Sequence, residues 1–419
     1  MGKVLPTPML PERFAAEFID LVSSTESGDQ VGLATMEFEA QLEPEASLVF
    51  DVLESMVQAK TRGVDVQLLV DERYVRRMTR IGNRVVPNWL PLMGAEDRRT
   101  RHENHARTAS CMDDLRDTGI VIDKKPQRPD RGYTPALRHL GSLHIAQRAL
   151  AVVHTKAAWV SRPDSETTAW LNTGNLTDAD LTRPNSGQPF GMNNLSLRFE
   201  DRQAAFIVRA ATGNFGRIAG THMNGAEVKL IHDIGNSGAP GRLPSILEEA
   251  LTAIDPRREA IVKDPYDAEP KEPKTVVLLS QYAPNGLLAS VLKYAADQGT
   301  EVYVPRQPAD DHRSRNFPYN VNNALFRARS IGNQPRRPVP SHIKTQIVTY
   351  HDGTAKLIVG SDNLVTNLQK IVRNEELAVA IDLNLKDKND DQYFAGFVDL
   401  LREMDEIDAT IQEKLTSKA

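Results

Sequence analysis

Cysteine is almost missing from this 419-residue chain: Cys111 stands alone, so no internal disulfide can form. A reducing compartment, or indifference to redox, is the expectation. Aromatic residues make only 6%, few for a surface that stacks bases. No run approaches the roughly 20 apolar residues of a membrane-spanning helix. An excess of charge is lacking too: 51 Lys and Arg face 56 Asp and Glu, a formal net charge of -5. That excludes a wholesale basic coat for nucleic acid or an anionic bilayer, although not local basic patches. The opening MGKVLPTPMLPERFAAEFID has one Lys, two early prolines and no apolar stretch fit for a signal peptide. Gly2 is followed four residues later by Pro6, where myristoylation asks for Ser or Thr. A soluble, cytoplasmic protein is expected. What is present is ordinary for a globular chain, 40% apolar and 26% charged. At roughly 150 residues per domain, the length allows two or three domains.

The most informative feature is an internal repeat. An apolar run, Val31 to Phe38, reads as a strand. Glu43 to Lys60 then carries Leu48, Val49, Val52, Leu53 and Met56 at helical spacing. Gly63 ends that helix, and VDVQLLVDE alternates as a strand. The second half repeats the order: Val276 to Tyr282 as strand, Asn285 to Gln298 as helix, Gly299 as its end, then TEVYVP. Strand, helix and strand on short links form a βαβ unit, hence an α/β fold.

Each half continues into a long Arg-rich connection. Residues 71–107 hold nine Arg against five carboxylates, and residues 306–337 hold seven Arg and two Asp. Such loops are either solvated surface or a basic rim for a phosphate, and their matching places favour the rim. Between the halves, 232–274 carries GNSGAPGRLP, a helix at Ser245 to Ile254, and DPYDAEPKEPK, the chemistry of a linker. The expected division is therefore 1–231, linker 232–274, and 275–419. The closing FAGFVDLLREMDEIDATIQEKL reads as one amphipathic helix packed on its own domain.

Both halves then deliver the same polar set. His154, Thr155 and Lys156 are followed by Asp164, Thr173 and Asn175; His342, Ile343 and Lys344 by Asp352, Ser361 and Asn363. Asp follows His by ten residues in both copies and Asn by twenty-one. One H-x-K means little, but two in register inside a duplicated unit mean much. KTQIVTY and AKLIVG flank His351-Asp352-Gly353, an Asp-Gly hairpin turn. Residues i and i+2 of a strand share a face, so His and Lys project together. The returning strand brings the hydroxyl and amide beside them, giving a set suited to phosphate.

The pattern resembles the phospholipase D superfamily, marked by two H-x-K-x4-D motifs, each followed by Gly-Ser and Asn. Arg373 to Ile381 (RNEELAVAI) resembles the strand after the motif, with Asn374 and Glu376 supplying its Asn-x-Glu. There are departures. Ser161 and Thr349 stand at the usual Asp positions, and Asp164 and Asp352 fall in turns, so they read as turn-stabilising. The first copy has Asn172-Thr173-Gly174-Asn175, and its later strand places Ser196 where Glu376 stands in the second.

The resemblance implies two similar halves related by a pseudo-twofold axis, each a mixed, mainly parallel sheet flanked by helices. It implies a phosphodiester cleaved through a phosphohistidine, with no metal and no cofactor. His154 and His342 would serve as nucleophile and general acid, with their order open. Lys156, Lys344, Asn175 and Asn363 would hold the phosphate oxygens, supported by Thr173, Ser361 and Glu376. The favoured substrate is a phospholipid headgroup, handled by a phospholipase D or a phosphatidyltransferase of the cardiolipin synthase type, which SQYAPNGLL also resembles. Peripheral membrane contact would suffice. A metal-independent nuclease and an inactive binding protein are the alternatives, and the oligomeric state is open. His102 and His105, like His139 and His144, read as solvated; Tyr282, Trp159 and Trp170 as core; Cys111 as no nucleophile.

Overall fold

A computed structural model of the chain describes residues 4–71, 108–124, 153–182, 191–213, 228–234, 245–255, 271–280, 284–304, 341–364 and 375–417, apart from isolated positions that include Asp164 and Asn363. The Arg-rich stretches, the four histidines from His102 to His144, Tyr282 and the prolines of the expected linker other than Pro273 lie outside the described residues. The chain divides into two compact units, one within 6–127 and 152–216, the other including 217–419.

The first unit opens with β1 (Thr7–Met9) and α1 (Pro11–Ser23), which starts on a proline whose missing N–H costs nothing there. The predicted strand divides. β2 (Gln30–Thr35) stays in the main sheet, whereas β3 (Phe38–Glu39) leaves it to pair with β8 (Leu176–Thr177). Helix α2 (Leu48–Thr61) follows, and Gly63 turns the chain at φ 89 into β4 (Asp65–Asp71), parallel to β2 as expected. β5 (Val121–Lys124) extends that parallel edge. The motif hairpin comprises β6 (Ala157–Ser161) and β7 (Thr168–Asn172). A short helix α3 (Asp178–Leu181), β9 (Ser196–Glu200) and α4 (Asp201–Thr212) complete the unit. Its sheet runs β1-β9-β7-β6-β2-β4-β5.

One face of this sheet is sealed by α1 and α2. Phe14 and Phe18 meet Trp170 edge-on at 5.8 and 5.7 Å between ring centroids, a favoured aromatic geometry. On the other face Trp159 lies over Gly32, where a Cβ would run into the indole ring. Both tryptophans are core, as expected. Cys111 packs against the first core, and burial followed by the charge of Asp114 pushes its thiol up to about 11. It is no nucleophile.

The second unit has a six-stranded sheet ordered β10-β15-β14-β13-β11-β12. These strands are β10 (Val228–Ile234), β11 (Pro273–Leu279), β12 (Glu301–Tyr303), β13 (Thr345–Tyr350), β14 (Thr354–Gly360) and β15 (Glu375–Asn384). Helix α5 (Ser245–Ile254) precedes β11, and α6 (Gly286–Asp297) links β11 to β12, which pair in parallel.

Three expectations need correction. The sheets are mixed but mainly antiparallel: only β2–β4, β4–β5 and β11–β12 are parallel within them, because hairpins dominate and crossovers are few among the described residues. The stretch beginning at His232 is not all linker. β10 pairs with β15 over seven positions, Asp233 accepts the Ile246 N–H at 2.9 Å, and α5 fills the second core, so these residues build the second unit. The closing helix is two, α7 (Lys388–Glu403) and α8 (Ala409–Thr416). Asp405 adopts φ 55, and Asp408 caps the second by accepting the Ile411 N–H.

Helix α5 is riveted to the sheet. Gln346 donates to the Ala250 carbonyl at 2.8 Å and Tyr350 to that of Ala253 at 2.9 Å. Glu249 meets both Lys229 and Lys356, the latter at 2.6 Å, and Lys356 reaches Asp382 at 3.2 Å. Burial alone would raise the Glu249 carboxyl, but the two ammonium groups outweigh it and hold the pKa at about 2. A depressed carboxyl stabilises the fold above its ordinary range, and this contribution disappears as pH falls from about 4.5 towards 2. Glu249→Gln should cost about 2 kcal/mol at pH 7, below the roughly 3–5 of fully buried pairs because Lys229 is partly exposed. Urea unfolding of both proteins at pH 7 and pH 3 checks this, and the difference should shrink at the lower pH.

Candidate active site

The candidate histidine and lysine pair leads into a strand in both units. In the first, Val153 donates its N–H to Asp71 Oδ2 at 2.7 Å, which pins the start of the motif to the end of β4. His154 is 6% exposed and Lys156 1%. In the second, Ser341 Oγ accepts the Ile343 N–H at 3.2 Å, a local turn for the same purpose. His342 is 7% exposed and Lys344 is fully buried. Each lysine bends back to its own histidine: Lys156 Nζ donates to the His154 carbonyl at 2.9 Å, and Lys344 Nζ to that of His342 at 2.8 Å. Each ammonium is thus held at the backbone of the histidine two residues before it, just ahead of β6 in one unit and of β13 in the other.

The hairpins close as their sequence implies. In the second, Thr349 faces Ala355 across a turn in which Gly353 has φ 81. There Asp352 accepts the Thr354 N–H at 2.9 Å and its hydroxyl at 2.6 Å, so Asp352 stabilises the turn. The returning strand ends beside the lysine: Asn172 N–H donates to the Lys156 carbonyl, and Gly360 N–H to that of Lys344. Thr173 and Ser361 come next, both fully buried.

These hydroxyls have committed partners. Ser361 Oγ donates to Glu376 Oε2 at 2.6 Å and accepts the Leu377 N–H at 3.0 Å; Ser361 N–H donates to the Leu377 carbonyl at 2.9 Å. Thr173 does the same with a different acceptor: Oγ1 donates to Asn194 Oδ1 at 3.2 Å and accepts the Leu195 N–H at 2.9 Å. A hydroxyl has one hydrogen to give, so Thr173 and Ser361 brace the site. The geometry also corrects the alignment of the copies. Leu195 matches Leu377, hence Asn194, not Ser196, stands where Glu376 stands. Ser196 pairs with Asn172 as Ala378 pairs with Gly360.

The first copy holds a residue that sequence spacing missed. Asp180, 2% exposed in α3, accepts the Asn175 N–H through Oδ2 at 2.9 Å and Asn194 Nδ2 through Oδ1 at 3.0 Å. Helix α3 is tied down in turn: Asp178 accepts the Ser47 hydroxyl at 2.7 Å and the Leu42 and Val49 N–H groups. The available signal was Thr177-Asp178-Ala179-Asp180, a helix start in sequence, with Thr177 capping the Asp180 N–H. Asn175 is buried, and its Oδ1 has no hydrogen-bond partner among the described residues. Asn363 lies outside the described residues, so of the sequence-derived set the structure describes His154, Lys156, Thr173 and Asn175 in one unit and His342, Lys344, Ser361 and Glu376 in the other.

No protein-family model and no curated protein matches this chain. Solved structures do. The crystal structure of phosphatidylserine synthase from Haemophilus influenzae Rd KW20 covers 96% of this chain and 88% of its own, with 11% identity and a TM-score of 0.50. The chain has a phospholipase D-like fold. Polyphosphate kinase from Porphyromonas gingivalis covers 96% of the chain at 12% identity and TM-score 0.48, and this chain spans 50% of its length. Yeast tyrosyl-DNA phosphodiesterase covers 87% of this chain and 86% of its own at 10% identity and TM-score 0.42. At such identities the likeness is one of fold, and the phosphatidylserine synthase comparison, nearly end to end in both chains, carries it. Within this phospholipase D-like frame no described helix is long and apolar enough to cross a membrane.

Gly174 shows how closely the first copy is packed, since a Cβ there would run into the Asn194 amide. Gly174→Ala should lower stability by about 1–3 kcal/mol through overpacking at Asn194. Gly396→Ala, on the open side of α7, should be neutral or stabilising by up to about 1 kcal/mol. Thermal unfolding of the two variants beside the parent chain measures both.

Proposed function

We propose that this phospholipase D-like protein cleaves phosphodiesters through a covalent phosphohistidine and that its substrate is a phospholipid. The observation that carries the proposal is the duplicated pair of buried imidazole and buried ammonium, His154 with Lys156 and His342 with Lys344, built the same way in two units. An ammonium held in place in each unit is suited to the negative charge of a phosphodiester.

In the proposed reaction one neutral imidazole attacks phosphorus. A P–N bond forms and the P–O bond to the departing alcohol breaks, while the other histidine, as imidazolium, gives that oxygen its proton. The second histidine, now neutral, takes a proton from water or an acceptor alcohol. That oxygen displaces the first histidine, and the two protonation states are restored. Histidine suits both roles near pH 7, and a reaction that needs one group as base and one as acid has a bell-shaped pH profile. Lys156, Lys344, Asn175 and Asn363 are assigned to the non-bridging oxygens, where charge develops. His154 and His342 are both assigned to catalysis with their order open.

The lipid assignment rests on the fold shared with a phosphatidylserine synthase over nearly the whole of both chains. Phosphatidylglycerol vesicles, plasmid, single-stranded DNA and bis(p-nitrophenyl) phosphate, each incubated with the protein in EDTA, test it. Turnover of the lipid is expected; cleavage of DNA alone would transfer the protein to the nucleases, and silence on all four would leave a binding protein. His154→Gln and His342→Gln should each lower kcat by roughly a thousandfold or more, the scale on which lost nucleophiles are felt. Acid quench during turnover, followed by peptide mass mapping, should find phosphate on one of the two histidines, and finding it on neither would sink the covalent route.

A further inference from the structure

The two copies differ in where they keep a carboxylate. In the second, Glu376 takes the Ser361 hydroxyl directly. In the first, the matching position is an amide, Asn194, and the carboxylate stands one side chain behind it. Asn194 gives its Nδ2 hydrogens to Asp180 Oδ1 at 3.0 Å, the Asp180 carbonyl at 3.0 Å and the Met192 carbonyl at 3.3 Å. That fixes which end of the amide faces Thr173. The same Asp180 holds the backbone of Asn175 by its other oxygen. The β6–β7 pairing ends at the Asn172–Lys156 bond, so Thr173 and Gly174 follow directly after the partner of Lys156, and Gly174 is the residue on which the Asn194 amide lies.

We propose that Asp180 is a positioning residue of the first copy, whose charge reaches the His154 segment through Asn194 and which sets Asn175 at the same time. This rests on the phosphodiesterase reading above and assigns the first copy a relayed carboxylate in place of a direct one. No acid occurs between Ser361-Asp362 and Glu375 in the second copy, so the device is confined to the first. Other charged groups on this segment are Asp71 at Val153, Lys156 on the His154 carbonyl, and Asp178 clasping α2; all stay unchanged in the variants below.

The test exchanges the two residues. Asp180→Asn alone removes the charge and turns one N–H2 toward a donor. Asp180→Asn with Asn194→Asp restores the side-chain part of the pattern: the introduced amide can accept from the Asn175 N–H and donate to the introduced carboxylate, which accepts from Thr173, while the carbonyls of residue 180 and Met192 lose the donor that Asn194 gave them. The charge then lies one side chain nearer His154. The His154 imidazole is titrated by NMR in the full chain, its signal assigned by loss in His154→Gln. A nearby anion favours imidazolium, so the midpoint should fall by about half a pH unit in Asp180→Asn and rise above the parent value in the exchanged pair. Equal midpoints in the parent and the exchanged protein would overturn the proposal, and that comparison stands even if the single variant fails to fold. The titration needs no turnover. Shifted midpoints in a protein silent on every phosphodiester would sink the proposed function and uphold the positioning role; equal midpoints in an active enzyme would do the reverse.

Discussion

In each unit the carbonyl of the motif lysine accepts the N–H that ends the returning strand, from Asn172 in one and Gly360 in the other. All the candidate chemistry depends on this closure. It fixes the hairpin register, and register decides which residues share a face. Shift it by one and the hydroxyl after Asn172 or Gly360 would leave the N–H it clasps on the next strand. With it in place, each lysine stays on the carbonyl of its histidine, and Thr173 and Ser361 fall where they clasp the next strand. The clasp uses backbone as well as side chain, so two strands and one loop are locked together by a single residue.

A buried hydroxyl that has given its hydrogen to the next strand's residue needs an acceptor there, and the copies meet that demand differently. Glu376 presents a carboxyl oxygen, which accepts without help. Asn194 is neutral and could face either way, so its orientation has to be imposed, and Asp180 imposes it. The connection between hydroxyl and clasped strand is six residues longer in the first copy, Thr173 to Leu195 against Ser361 to Leu377. The longer connection is what accommodates α3, the helix carrying Asp180. One unit uses added sequence length to keep its charge at a distance, and the other keeps it adjacent.

Much of this was legible in the sequence because it follows from periodicity and turn chemistry. The two βαβ units, the caps at Gly63 and Gly299, the Asp-Gly hairpin and the registered His, Lys and hydroxyl positions are all local patterns. The direction of most strand pairings was not legible: apolar runs read alike in parallel and antiparallel sheets, and the hairpins outnumber the crossovers. Nor was the role of Val228–Ile234, a short run that mixes Lys229, His232 and Asp233 with apolar residues and whose pairing with Glu375–Asn384 is distant in sequence.

The misplacement of Ser196 shows a limit set by the geometry of strands. Matching Asn194-Leu195-Ser196 to Asn374-Glu375-Glu376 differs from the true correspondence by two residues. Side chains alternate with period two, so a slip of two leaves every apolar residue on its own face, and hydrophobic pattern cannot detect it. Only the hydroxyl clasp, which is specific for one N–H and one carbonyl, breaks the ambiguity. The polar bonds of the site, rather than its apolar packing, therefore define how the two copies correspond. They also turn an apparent loss in the first copy, a missing glutamate, into a substitution by an amide and a carboxylate acting in series.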